Sequence, residues 1–222
     1  MKTITLLTPI SAILFTFGAF SGESTASVLT FDVDPFSNRL AIDQDYGDSI
    51  TAITEGGFSY GADEGFTPNV NVSYGGDDPA LWGSGYGDLT NVLFEDTDIT
   101  GVLEITFTAD PGYMVNLHGF ELASFSGDQT IDLVDISGTS PLFSQMDVAV
   151  SGSTSTAFDF TTPLQANEFT IQIDARNLGS SNDDIAIDNI VFSQIAIPEP
   201  SSTLLLGLGS LALISRRRRK AI

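Results

Sequence analysis

Apolar and polar residues alternate in short runs along most of the chain. Leu103, Ile105 and Phe107 alternate with Glu104, Thr106 and Thr108, and Phe169, Ile171 and Ile173 alternate with Thr170, Gln172 and Asp174. Residues 185–192 carry a similar pattern, Ile-Ala-Ile-Asp-Asn-Ile-Val-Phe. A period of two places successive side chains on opposite faces of an extended chain, which marks a half-buried β-strand. Less regular apolar runs at 28–33, 70–74, 91–94, 113–123, 130–136, 142–150 and 156–160 predict further strands. Clusters of Gly, Asp, Asn, Ser and Pro separate them and supply turn geometry. About ten short strands without an amphipathic helix predict an all-β domain, an antiparallel β-sandwich of jelly-roll-like type.

Composition points the same way by a different route. Between positions 27 and 197 there are 21 Asp and only 6 Glu. Asp suits turns and strand ends because its short carboxylate bonds nearby backbone amides, whereas Glu favours helices. No composition break divides this region, so it reads as one domain, 27–196. Tyr-Gly-Asp occurs twice, at Tyr46-Gly47-Asp48 and Tyr86-Gly87-Asp88. Shared turn chemistry accounts for the pair without a repeat.

The two ends differ from the middle. Met1-Lys2 is followed by an uncharged, largely apolar run at 4–20 and then by Ser24-Thr25-Ala26. A positive start, an apolar stretch and small residues in that order read as a signal peptide, 1–26, cleaved after Ala26. At the other end Pro198-Glu199-Pro200 leads into an uncharged run at 203–214 and then into Arg216, Arg217, Arg218, Arg219 and Lys220. Proline suits the first turn of a helix but not its interior, so the tripeptide marks a junction before a short apolar helix. That run falls short of the ~20 residues that span a bilayer comfortably, and the cationic cluster would stay on the cytoplasmic side.

These three adjacent parts, at 197–222, resemble the PEP-CTERM sorting signal. The resemblance implies export in a Gram-negative bacterium, where an exosortase, a membrane protease-transpeptidase, recognises the tripeptide and processes the tail. It also implies an inner-membrane intermediate, a destination at the cell surface or in the extracellular matrix, and the company of biofilm polysaccharide. The closing Ile187-Asp188-Asn189-Ile190 is similar to strands of other exported proteins that carry this signal. The competing reading of the tail is an uncleaved anchor, which a short run containing Gly207 and Gly209 would serve poorly.

The formal net charge is −21, but six of the eight cations lie at the termini. The region 27–197 holds 27 acids against two bases, Arg39 and Arg176, a net of −25. Such a surface argues against nucleic acid, whose phosphates need clustered cations. Cysteine is absent, which removes disulfides and thiolate metal sites.

Among the acids, Asp32 and Asp34 near the start of the domain and Asp183, Asp184 and Asp188 near its end form a candidate calcium pool. Carbohydrate-binding jelly rolls, by similarity, hold a structural calcium between their first and last strands. Turn caps explain the same aspartates equally well. Trp82, Tyr86 and Asp88, with Tyr74, Asp77 and Asp78 nearby in sequence, sit in a glycine-rich stretch that reads as a loop. Flat rings beside carboxylates suit polysaccharide binding, although aromatics near glycines also commonly cap the end of a sandwich core. The lone histidine, His118, lies within an expected strand and no Gly-x-Ser-x-Gly elbow surrounds a serine, so Ser-His catalysis has no support. The sequence favours a non-enzymatic polysaccharide-associated or structural module. The alternative is a secreted carbohydrate-active hydrolase that uses an Asp/Glu pair.

Overall fold

The computed structural model describes residues 26–55, 58–60, 66–76, 78–96 and 101–197. Nearly all of the expected signal peptide and of the sorting signal, including Pro198, Glu199, Pro200 and the basic cluster at 216–220, lies outside the described residues. Among the described residues no helix is long and apolar enough to cross a membrane.

Short strands come first: β1 (Ser27–Leu29), β2 (Asp32–Val33), β3 (Leu40–Ala41), β4 (Thr54–Glu55) and β5 (Phe58–Ser59). Longer ones follow: β6 (Val70–Gly75), β7 (Pro79–Tyr86), β8 (Leu89–Glu95), β9 (Val102–Ala109) and β10 (Tyr113–Ser124). The chain then forms β11 (Gln129–Ser137), β12 (Pro141–Val150), β13 (Thr156–Ala166) and β14 (Glu168–Asp174). A 3₁₀ segment, Arg176–Asp184, precedes the last strand, β15 (Ile185–Ala196).

These strands make two main sheets. One runs β13-β10-β15-β8-β7-β3, with β1 also paired to β15; the other runs β12-β11-β14-β9-β6. A small third sheet joins β2, β5 and β4. The ladders are antiparallel, so the fold is the all-β sandwich that the alternation predicts.

The sheets meet through the apolar members of the alternating strands. Leu103, Ile105 and Phe107 of β9 and Phe169, Ile171 and Ile173 of β14 are buried. Phe107 packs on Phe169 of its own sheet at 5.2 Å and on Phe192 of the other at 4.9 Å, so its ring bridges the layers. A second, smaller apolar cluster lies apart from this core: Ala80, Tyr86, Leu89, Val92, Phe94, Ala123 and Ala186. On β15, Ala186 belongs to that second cluster while Ile185 and Ile187 belong to the main core. The seven-stranded sheet is therefore packed on both faces near the start of β15.

Two irregularities shape β15. Glu121 pairs with Asp188 but Gly119 pairs with Val191, so β15 carries one residue more than β10 between these points. Asn189 lies there with φ of 51°, and its Nδ2 donates to Glu121 Oε2 at 2.7 Å. The bulge resets the alternation, so that Ile185 and Ile187 before it and Ile190 and Phe192 after it all face the main core. The same edge of β15 is consequently divided, with β8 on residues 186–187 and β1 on residues 190–192.

Three sequence expectations change. The run 28–33 is two strands, because Phe31, fully buried at φ of 53°, takes the chain off β15 and toward β5. The stretch around Trp82 is not a loop but the eight-residue strand β7, paired with β8 from Pro79 to Tyr86. Strand β13 continues to Ala166 through Pro163, with a register break against β10. Proline is tolerated there because β13 is an edge strand.

Candidate functional site

Strand β7 brings the single tryptophan to the second apolar cluster. Ala80 and Trp82 point to the same side of the pleat, opposite Leu81, which enters the main core. The Trp82 ring meets Phe94 edge-on at 5.8 Å and Phe125 edge-on at 6.1 Å. Its Nε1 donates to the carbonyl of Ser84 at 2.8 Å.

Gly85 explains how Phe125 reaches this place. A Cβ on Gly85 would stand 2.6 Å from Phe125 Cε2, so only glycine leaves space for that ring against the strand. Phe125 follows β10 directly, and its backbone N–H donates to the carbonyl of Asp184 at 2.9 Å. The ring stays 48% exposed and lies 5.4 Å from Tyr86. Tyr86 is buried, and its hydroxyl donates to the carbonyl of Asp183 at 2.8 Å. Burial pushes the Tyr86 phenol well above its ordinary pKa, and Asp183 and Asp184 add to the shift.

Arg39 completes the site from the other side. Its backbone N–H donates to the carbonyl of Leu81 at 2.8 Å, which fixes it beside β7. The guanidinium lies 5.6 Å from the centre of the Trp82 ring and forms an ion pair with Asp96. Together Trp82, Tyr86 and Phe125, with Phe94 at the back, and Arg39, Asp183 and Asp184 at the sides, enclose a cleft of about 80 Å³. Aromatic rings, one guanidinium and two aspartates whose charges both act on Tyr86 thus meet at one opening.

The expected site residues are sorted by this geometry. Trp82 and Tyr86 share the cleft, whereas Asp88 is exposed and its Oδ1 accepts the N–H of Ser155 at 2.5 Å. Tyr74 is a core residue whose hydroxyl donates to the carbonyl of Tyr46 at 2.8 Å. Both Tyr-Gly-Asp copies do the same local job. Tyr46 and Tyr86 are buried, and Asp48 accepts the N–H of Val72 at 2.5 Å as Asp88 does that of Ser155.

The calcium pool divides into two places. Asp183 and Asp184 line the aromatic cleft, while Asp188 lies among Asp32 and Glu121. Asp34 is exposed beside Pro35. Asp32 accepts from Asn91 Nδ2 and Thr30 Oγ1, and Asp188 accepts the N–H of Asn189 at 2.7 Å. Asp188 is 4% exposed, and burial pushes its pKa up to about 8 against the pull of the Asn189 amide, with Asp32 and Glu121 adding to the rise. Among the described residues no three His, Asp or Glu side chains are placed to hold a metal ion. Calcium needs roughly six to eight oxygens, so a site here would draw on backbone carbonyls and water as well as these aspartates.

His118 Nε2 lies 2.8 Å from Ser193 Oγ, across β10 and β15. Ser193 is only 4% exposed, so this pair is closed to a substrate. Sequence reading missed Arg39, Phe94, Asp96 and Phe125. Two of them carried a signal: Arg39 is one of two bases between 27 and 197, and Phe125 is a large apolar residue set in Ser-Phe-Ser-Gly turn chemistry.

Comparison with known proteins adds one firm match. The family model for the PEP-CTERM protein-sorting motif matches residues 196–220. No curated protein matches the sequence. Among solved structures the chain is similar to the Podospora anserina GH26-CBM35 beta-(1,4)-mannanase, at 17% identity and a TM-score of 0.31. That match covers 60% of this chain and spans 29% of the mannanase. At that level the likeness bears on neither fold nor substrate.

Proposed function

We propose that the protein is an exported, exosortase-processed component of the cell surface or extracellular matrix whose sandwich domain associates with polysaccharide through the Trp82 cleft. The PEP-CTERM match at 196–220 carries the first half, since that motif is a sorting signal for export to the surface. In this reading the host is a Gram-negative bacterium and the protein passes through an inner-membrane intermediate held by its apolar tail. The glycan half is supported by the accessible Trp82 and Phe125 rings and the flanking polar groups, a mixture suited to a sugar's apolar face and its hydroxyls.

The reading is non-enzymatic. A hydrolase would need two carboxylates that reach a glycosidic bond. Asp188 and Glu121 come close to such a pair, but Asp188 is buried at 4% exposure.

Replacing Pro198, Glu199 and Pro200 with alanine in the native host is expected to leave a full-length, membrane-retained precursor. Unchanged size and location would overturn the sorting reading. For the cleft, exopolysaccharide fractions are expected to shift the emission of the single tryptophan, and Phe125→Ala is expected to weaken the response. Release of reducing ends from those fractions would instead identify the hydrolase.

A further inference from the structure

The cleft beside Trp82 has a charge character that its aromatic lining conceals. Asp183 and Asp184 line it, Asp96 adjoins it through the ion pair, and Arg39 is the one cation facing these three carboxylates among the described residues. Arg39 holds its guanidinium 5.6 Å from the Trp82 ring centre while pairing with Asp96. One cation is thus already seated against an aromatic face with a carboxylate behind it, a combination that favours cations over neutral groups. Phe125, 48% exposed, packs its ring 5.4 Å from the buried Tyr86 ring and so sets one further accessible ring beside Asp183 and Asp184.

Size restricts what can enter. The space is about 80 Å³, well under the ~300 Å³ at which pockets begin to enclose a whole small molecule. It accepts a substituent of a sugar while the ring stays at the mouth. Polymer charge matters as well, because the domain carries 27 acids against two bases between 27 and 197 and repels polyanions at close range.

We propose that the cleft receives the protonated amine of an amino sugar in an extracellular polysaccharide, with the ammonium between the exposed Phe125 ring and Asp183 and Asp184. This rests on the glycan reading above and narrows it to cationic sugars. Arg39 is then an internal competitor, a cation already held in the same cleft against Trp82.

The test is a fluorescence titration of the secreted protein with oligomers of glucosamine, N-acetylglucosamine and glucuronate of equal length. At about pH 6 an amine of this kind is protonated. Glucosamine oligomers are expected to bind at least about tenfold more tightly than the acetylated ones, a margin that shrinks with added salt. Asp183→Asn with Asp184→Asn is expected to remove most of that preference. Arg39→Gln is expected to strengthen glucosamine binding more than Arg176→Gln does, which removes the same charge from a residue that does not line the cleft. If the double variant fails to fold, Arg39→Gln and the salt dependence decide the matter alone. Equal affinity for amine and acetamide forms overturns the amine inference and leaves the glycan reading in place. A preference for glucuronate that Arg39→Gln abolishes overturns it in favour of an anionic sugar. Silence with all three oligomers overturns both readings.

Discussion

Asp188 keeps its carboxyl 4% exposed beside Asp32 and Glu121, with the amide of Asn189 as a close donor. Its pKa in the fold is about 8, against 3.8 for the ordinary side chain. The folded state therefore binds this proton more tightly than the unfolded state does. Its contribution to stability is fully present below the unfolded value and is lost as pH rises through the folded one. Denaturant midpoints are expected to fall between about pH 5 and pH 9. Asp188→Asn should flatten that slope and stabilise the protein at the alkaline end by on the order of a few kcal/mol. A wild-type midpoint that does not change across this range would overturn the assignment. Asp88 gives a second test at this scale. Its carboxylate fastens the 151–155 turn through Ser155, so Asp88→Ala should cost about 1–2 kcal/mol of stability. The Trp82 response to glycan should stay unchanged, since Asp88 does not line the cleft.

Between strands, backbone proximity decides more than side-chain preference does. Gly119 lies where β10 and β13 lose register, and a Cβ there would stand 2.5 Å from the carbonyl oxygen of Phe158. Backbone cannot swing aside as a side chain can, so Gly119→Ala should destabilise by about 1–3 kcal/mol in urea melts. Full stability in that variant would show that the two strands separate more easily than their pairing suggests. Strands β9 and β14 were legible in the sequence because one face of each is buried and the other is less so, which imprints period two. Strand β7 was not legible. Gly83, Ser84 and Gly85 look like a turn, and what makes them a strand is pairing with β8 and the need to admit Phe125. The cleft was half legible for a related reason. Trp82 and Tyr86 are neighbours in the chain, but Arg39, Phe94, Phe125 and Asp183 reach them only through tertiary packing. The aspartate pool misled because many aspartates cap turns, and nothing local separates those roles.

For the whole domain, charge opposes cohesion. With 27 acids and two bases over 27–197, self-repulsion disfavours the compact state, and salt relieves it. Raising NaCl from about 10 mM to about 150 mM shortens the screening length from ~30 Å to ~8 Å. The melting temperature is expected to rise over that range, and a flat response would mean that local hydrogen bonding already neutralises the field. Strand β15 relates this body to its surroundings. Asp183 and Asp184 at the cleft immediately precede its first residue, and the sorting motif begins at its last, Ala196. Its length is roughly 36 Å at about 3.3 Å per residue. If the tail holds the protein in place and the cleft grips a polymer, tension between them runs along this one strand. Strand β10 flanks it on one side, and β8 and β1 flank it on the other. Pulling would then shear many hydrogen bonds together instead of opening them one after another, so the domain would yield last at the very strand that joins its anchor to its load.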